Sequence, residues 1–304
     1  MKQSISLTSP LLIIGLLAAL SIGWGVSWPM MKIALWEFPL WTFRAWSCLA
    51  AGLCMLGLAR LSGHRLMPPA QEWRGLMLAA LCNVTLWHIA IGFGVLLVAS
   101  GHAAILAYTM PLWVVLLGTL VLRQPLEMHS VLALMLGLAG ILTLVSGDLA
   151  TLGRAPLGAG LIIIGAIAWA MGTLIQKHRR TVLSIFASTG WQLILGSIPI
   201  FFMMPFMDGV RIPQVSAQAW AAAFYLTFVA LVLCYYLWFK IVSLLPVNRA
   251  SISSLLVPAV GVASGAVVLG EPFGWREFLA LGFIASALVL VLAAPAAKPA
   301  PSTV

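Results

Sequence analysis

The segment Gly23–Lys32, GWGVSWPMMK, returns 145 positions later as Ala168–Lys177, AWAMGTLIQK. A shorter segment, Tyr108–Leu112 (YTMPL), returns 147 positions later as Leu255–Ala259 (LLVPA). All four segments lie in long apolar runs, so the repeated unit is one that sits in a membrane. Two related helical units are a common way to build a solute site that can open to either side of a bilayer.

The composition also indicates a membrane protein. Charged residues make up 8% and hydrophobic residues 62% of the 304 residues, and the mean hydropathy is +1.10, whereas roughly a quarter of a soluble domain is charged. The net charge is +9, but Lys and Arg lie in short gaps between apolar runs, which favours a role in membrane orientation. We therefore predict no nucleic-acid partner. The four cysteines form no CxxC pair, so we predict no metal site.

Apolar runs of about 20 residues predict ten transmembrane helices. The predicted spans are 10–31, 38–60, 75–98, 101–122, 129–146, 156–177, 184–207, 218–240, 247–269 and 276–294. With both termini in the cytoplasm, eleven of the 16 basic residues lie inside, four lie outside and Arg44 lies within the second span. The excess of positive charge inside predicts this orientation.

Each half of the chain then has five spans, so the second copy enters the membrane from the opposite side and the repeat is inverted. The sequence therefore predicts an all-α integral membrane protein. Its parts are a first five-helix repeat at 1–150, a second at 151–294 and a disordered cytoplasmic tail at 295–304, which is rich in Pro and Ala.

The third span contains the most polar residues. Thr85, His88 and Gly92 fall on one face at helical spacing, and His88 corresponds to Tyr235 under the repeat. We expect these two side chains to face each other across a cavity. His88 is then a candidate solute ligand and proton carrier, and a histidine that bonds a neighbouring helix is the alternative.

Aromatic and small residues complete the candidate site. The sequence contains 13 tryptophans, most of which we expect to be packed or to anchor the membrane interface. Prolines within spans can kink a helix or free a carbonyl that lines a cavity. The candidate solute-binding residues are Trp24, Trp28, Asn83, Thr85, His88, Tyr108, Trp169, Tyr235 and Ser254, and the candidate kink or gating residues are Pro29, Pro111 and Pro258.

Acidic residues are placed away from the middle of every predicted span. This disfavours an organic-cation carrier, which usually needs a buried carboxylate, and favours neutral, zwitterionic or anionic solutes. For Arg44 we consider snorkelling to headgroups, a pair with Glu37, and binding of an anionic group, and we favour a structural role. The chain has no P-loop, so no nucleotide or other cofactor is predicted.

Together these motifs resemble the drug/metabolite transporter superfamily, in its EamA-type branch. The residues that carry the resemblance are Gly23-Trp24-Gly25, Phe43-Arg44, Ala103–Trp113, Ser253–Pro258 and Leu269–Pro272. Arg123-Gln124-Pro125 departs from the pattern, because the family often has Gly-Glu there. The resemblance implies a cavity lined by spans 1, 3, 4, 6, 8 and 9 and export of small metabolites, often amino acids. The many Trp and Tyr residues make the aromatic amino acid exporters the nearest group.

We therefore predict a secondary transporter of the bacterial inner membrane that exports small metabolites, above all amino acids and among them aromatic ones, by alternating access. Its partners are a small-molecule solute, the lipid bilayer and, as a candidate coupling ion, the proton. A multidrug or other organic-solute exporter of the same superfamily is the alternative. A membrane enzyme is a weaker one, because His88 with Thr85 is the best catalytic constellation available and it is poor. The prediction is therefore that the chain is not an enzyme.

Overall fold

The structure, a computed structural model, describes residues 10–97, 103, 106–121, 128–145, 156–179, 181–209, 214–270 and 274–293. Over these residues the chain forms helices joined by short loops. The helices are α1 (Pro10–Leu35), α2 (Leu40–Leu61), α3 (Ala70–Leu97), α4 (Met110–Leu120), α5 (Met128–Val145), α6 (Pro156–His178), α7 (Ile185–Met207), α8 (Ala217–Leu244), α9 (Val247–Ser253), α10 (Leu256–Leu269) and α11 (Trp275–Ala293).

Seven helical segments of the described chain are long and apolar enough to cross a membrane. They are α1, α2, α3, α6, α7, α8 and the segment Arg249–Leu269, which combines most of α9 with α10. The predicted spans at 101–122, 129–146 and 276–294 contain α4, α5 and α11, which are not among the seven. An all-helical membrane protein is therefore confirmed, whereas ten spans and the cytoplasmic location of both termini remain predictions. The predicted tail lies outside the described residues.

The helices of the two halves pack in reciprocal pairs. The first helix α1 contacts α10, and its sequence counterpart α6 contacts α4. Likewise α3 contacts α6, and its counterpart α8 contacts α1. The counterparts α2 and α7 pack against each other, as do α5 and α11. The main interfaces therefore join one half of the chain to the other, so both halves build the centre of the bundle.

Small residues allow the closest of these contacts. A Cβ atom added at Gly52 of α2 would lie 2.9 Å from the carbonyl oxygen of Gly190 in α7, and one added at Gly190 would lie 3.0 Å from the carbonyl oxygen of Gly52. Gly25 of α1 lies as close to α10, where a Cβ would be 3.1 Å from the backbone nitrogen of Gly261. The hydroxyl of Ser264 also donates to the Gly25 carbonyl at 3.2 Å. The small-residue face of α10 therefore packs against α1.

Carboxylates connect the loops at the end of the bundle where α1 meets α2, which we name the α1–α2 end. Glu37 accepts hydrogen bonds from the backbone N–H and the hydroxyl of Ser216, at 2.6 and 2.7 Å. Asp208 accepts from the backbone N–H and the hydroxyl of Thr42, at 2.6 and 2.9 Å. Each carboxylate thus satisfies free donors at the first turn of a helix from the other half of the chain.

A third carboxylate joins the two halves at the opposite end of the bundle, which we name the α2–α3 end. Glu72 accepts from the Thr181 hydroxyl at 2.5 Å and the Val182 N–H at 3.1 Å. The guanidinium of Arg179 lies 3.9 Å from the same carboxylate. Loops of the two halves are therefore joined at both ends of the bundle.

Candidate functional site

Two π-helical turns interrupt the helices that contribute polar groups to the centre of the bundle. Leu81–Leu86 is π-helical within α3, and Tyr225–Leu233 is π-helical within α8. When the first half is moved along the sequence by 147 positions, the offset between the repeats, the first π turn falls inside the second. Such turns are rare and are frequent at functional sites. His88 and Tyr235 each lie two residues beyond the end of a π turn.

His88 and Tyr235 meet between α3 and α8. The Tyr235 hydroxyl lies 3.2 Å from His88 Nε2 and donates to the Asn83 carbonyl at 3.3 Å. In the contact with Nε2, the tautomer of His88 decides which of the two atoms donates. His88 Nδ1 is buried and has no hydrogen-bond partner among the described residues. The pair therefore leaves one ring nitrogen of His88 without a hydrogen bond at the centre of the bundle.

These two side chains line a cavity that is bounded by α1, α2, α3, α6, α8 and the residues around the start of α4. Six of its fifteen lining residues are aromatic: Trp24, Trp28, Trp87, Tyr108, Trp169 and Tyr235. Ser27, Arg44 and His88 add polar groups to the wall. The volume is about 60 Å³, enough for a few water molecules and far below the roughly 300 Å³ of small-molecule pockets. A small-molecule ligand is therefore too large for this cavity at its present size.

The aromatic rings form an edge-to-face cluster that crosses the boundary between the halves. Trp24 and Trp169, equivalent under the repeat, lie with ring centroids 5.7 Å apart at 78°. Tyr235 contacts both, at 6.1 Å from Trp24 and 5.2 Å from Trp169, and Trp87 lies 4.9 Å from Trp169. Each such pair contributes about 0.5–1.5 kcal/mol beyond the burial of its area. The cluster thus fixes the positions of the rings that a solute would meet.

Arg44 of α2 extends into the same cavity and is 4% exposed. One of its terminal nitrogens, Nη2, donates to the sulfur of Met31 at 3.0 Å, and its guanidinium carbon lies 5.4 Å from the Phe43 ring centroid. Its Nε has no partner. The pair with Glu37 that the sequence allowed is not formed, because Glu37 bonds Ser216 instead.

The structure brings together six of the nine candidate solute-binding residues: Trp24, Trp28, His88, Tyr108, Trp169 and Tyr235 all line the cavity. The other three lie outside its wall. Asn83 donates to Gln192 at 3.0 Å and Thr85 donates to the Gly196 carbonyl at 2.8 Å, so both connect α3 to α7. Ser254 is fully buried and donates to the Ser251 carbonyl at 2.7 Å.

Asn83 begins a chain of polar side chains that leads away from the cavity. Gln192, which accepts from Asn83, donates to Gln176 at 3.1 Å, and Gln176 donates to the Ser188 hydroxyl at 3.0 Å. Arg179 also donates to Ser188, at 2.6 Å. Through Arg179 the chain reaches Glu72, and the Asn83 carbonyl accepts from the cavity-lining Tyr235, so buried and part-buried polar groups connect the cavity wall to the α2–α3 end.

The candidate gating prolines occupy two kinds of position. Pro29 lies inside α1, which continues to Leu35. Pro111 and Pro258 lie in the first turns of α4 and α10, each just after a turn in the chain at Tyr108-Thr109 and at Ser254-Leu255. Proline at the start of a helix loses no hydrogen bond, so these two mark equivalent breaks in the two halves.

The described residues contain no group of three or more His, Cys, Asp or Glu side chains that could hold a metal ion. Three features of the site were not predicted from the sequence: the two π turns, the position of Arg44 in the cavity wall, and the polar chain from Asn83. Of these three features, only the position of Arg44 had a signal in the sequence, because a charged residue within a span is by default a candidate functional residue.

Comparison with known proteins agrees with this architecture. The model of the EamA-like transporter family matches residues 11–146 and again 156–293. The chain is 30% identical over 284 residues to the uncharacterized inner membrane transporter YedA of Escherichia coli K12, covering 91% of this chain and 89% of that protein. It is 26% identical over 209 residues to a probable amino-acid metabolite efflux pump of the same strain, covering 66% and 69% of the two chains.

A solved crystal structure shares the fold, with a TM-score of 0.72 at 17% identity over 90% of this chain and 96% of the other. The double match of one family model corresponds to the two halves whose helices pack in reciprocal pairs, and it covers nearly all the described helices. This chain therefore belongs to the EamA-like transporter family.

Proposed function

We propose that this inner-membrane transporter exports small amphipathic metabolites, above all amino acids and among them aromatic ones, by alternating access. The observation that carries the proposal is the central aromatic cavity, which both halves build and which contains His88, Tyr235 and Arg44 as polar groups. The name of the 26% identical efflux pump supports the amino-acid class. An exporter of drugs or other organic solutes is the second candidate, favoured by the mainly apolar wall of the cavity.

The proposed transport cycle uses the two halves as an inverted repeat, with both termini cytoplasmic. The reciprocal pairing of α1 with α10 and α6 with α4 supports a two-fold relation between the halves. Release of the Glu37–Ser216 contact would open the α1–α2 end, and release of Glu72 would open the α2–α3 end. In a bundle oriented as the basic residues predict, these ends face the outside and the cytoplasm, respectively.

His88 is the candidate proton carrier of this cycle. Among the described residues that line the cavity it is the only imidazole, the side-chain type that most often carries protons in proteins, and its Nδ1 has no hydrogen-bond partner within the described residues. Transport driven by solute exchange, without a coupling ion, is the alternative mechanism.

Flux measurements test the proposal. Purified protein in liposomes should take up labelled phenylalanine or leucine, and the uptake should fall on substitution Trp169→Ala but persist in the control Trp36→Ala, since Trp36 is 66% exposed. Flux of an organic cation without flux of any amino acid would overturn the proposal.

Substitution of His88 tests the coupling ion. His88→Ala should flatten the pH dependence of the flux, whereas His64→Ala, at an exposed loop position, should leave it unchanged. If His88→Ala leaves both flux and pH dependence as they are, His88 carries no proton.

A further inference from the structure

We propose that Arg44 binds the carboxylate of the transported solute, and that the solute is therefore an organic acid or an amino acid recognised by its carboxylate end. This inference rests on the proposed function, because it assigns the chemical class of the solute that enters the same cavity. It departs from the structural role that the position of Arg44 in the sequence favoured.

The first support is the burial of a cation without a counter-ion. Arg44 is 4% exposed, and in the part of the chain that the structure describes no Asp or Glu forms an ion pair with it. The acceptor of its Nη2 hydrogen bond is the sulfur of Met31, a weak acceptor. Since a buried charge is costly unless it is paired, the arrangement leaves a position for an anion.

The second support is the location of Arg44 and the donors that it keeps. Arg44 lines the central cavity together with His88 and Tyr235, and it also lines a smaller space that His88 shares. A guanidinium has five N–H donors in a planar fork that matches the two oxygens of a carboxylate. Since Nε is unpartnered and Nη2 bonds only a sulfur, the group keeps donors that a carboxylate in the cavity can use.

The third support is the composition of the rest of the wall. The polar groups of the described lining residues are those of Ser27, Arg44 and His88, the tyrosine hydroxyls and the indole N–H groups; the other lining residues are apolar and none is acidic. The wall therefore suits an apolar or aromatic body attached to the carboxylate, which excludes small inorganic anions as the natural occupants. A solute ammonium group would meet only ring faces and neutral acceptors, so it adds less to affinity than the carboxylate.

Four probes that share a phenylethyl group test the inference on the unmodified protein. Equilibrium binding to full-length protein in lipid nanodiscs is measured for phenylalanine, 3-phenylpropanoate, phenylalaninamide and phenethylamine. We expect the first two, which carry a carboxylate, to bind with dissociation constants at least about tenfold below those of the last two. Equal or tighter binding of the amine and the amide, or no binding of either carboxylate, would overturn the inference.

Variants on α2 assign the effect to one side chain. Arg44→Gln should raise the dissociation constant of 3-phenylpropanoate by about tenfold to a hundredfold and Arg44→Lys by less, while neither changes phenethylamine binding. Arg60→Gln is the matched control, because Arg60 is an exposed arginine of the same helix. Unchanged carboxylate affinity in Arg44→Gln, with the thermal stability of the unmodified protein, would overturn the inference.

The two proposals fail in different ways. If amino acids cross the liposome membrane and Arg44→Gln transports them with unchanged affinity, the carboxylate site is refuted and the transport function stands. If the carboxylate probes bind through Arg44 but no amino acid is transported, the site stands and the proposed function is refuted.

Discussion

Removal of a single hydroxyl group tests the hydrogen bonds that hold the centre of the site together. Tyr235→Phe deletes the group that lies 3.2 Å from His88 Nε2 and 3.3 Å from the Asn83 carbonyl. Tyr235 is 3% exposed, so its hydrogen bonds are shielded from bulk water. The ring contacts with Trp24 and Trp169 are kept, so the substitution removes hydrogen bonding and little else.

The magnitude follows from the number and length of the bonds. Hydrogen bonds between membrane helices contribute about 0.6 kcal/mol on average and up to about 1.7 kcal/mol each. Both distances at Tyr235 are at the long end of the hydrogen-bond range, so two such bonds predict a loss of about 1 kcal/mol. The free energy of unfolding in mixed micelles, obtained from a denaturant titration, measures this loss.

The neighbouring residue supplies a matched control. Tyr236 stacks on Phe186 at 4.5 Å with nearly parallel rings, and its hydroxyl has no hydrogen-bond partner within the described residues. Tyr236→Phe should therefore change the unfolding free energy by less than about 0.5 kcal/mol. Equal losses for the two substitutions, or no loss for Tyr235→Phe, would refute the hydrogen-bonded arrangement of His88, Asn83 and Tyr235.

Other predictions concern the helix contacts and the loops. Gly52→Ala places a Cβ 2.9 Å from the Gly190 carbonyl and should lower the free energy of unfolding by about 1–3 kcal/mol. Gly57→Ala on the same helix meets open space and should leave that free energy unchanged or raised. Equal effects of the two substitutions would contradict the close contact. The hydrogen bonds from Ser216 lower the pKa of Glu37 below its ordinary value of 4.5. The contact is therefore fully present above that pH and is lost as the pH falls through the lowered pKa. Thermal melts at pH 3 to 6 should show this loss as a fall in melting temperature. Glu37→Gln should remove the contribution of this contact to the pH dependence of the melting temperature.

The aromatic part of the site was predictable because it is repeated. Trp24 and Trp169 occupy equivalent positions of the two segments that reveal the duplication, and both line the central cavity. The 5.7 Å contact of their rings follows that logic. His88 and Tyr235 were paired by the same argument, and they lie within 3.2 Å of each other.

The sequence could not place every polar residue of the third span. Thr85, His88 and Gly92 fall on one face if the helix has 3.6 residues per turn throughout. The π turn at Leu81–Leu86 changes that register, and Thr85 bonds α7 while His88 lines the cavity. A π turn has no reliable sequence signature, so the error in the predicted face could not be corrected from the residues alone.

The position of Arg44 in the cavity wall could not be predicted from the sequence for a different reason. The depth of Arg44 and the direction in which it points depend on how α2 packs against α7. Its partners depend on which other groups the acidic loop residues bond. Glu37 was available to it by sequence, but the loop geometry gives that carboxylate to Ser216. A charge pair between residues seven positions apart can be judged only when the intervening turn is known.

The two π turns also separate what the halves share from what they do not. Shifted along the sequence repeat, Leu81–Leu86 falls inside Tyr225–Leu233, so both halves carry an irregular helix just before the polar residue of the site. The residue that follows differs, His88 in one half and Tyr235 in the other. The halves therefore agree in the backbone of the site and differ in its chemistry, so a change of solute preference needs side-chain substitutions and no change of backbone.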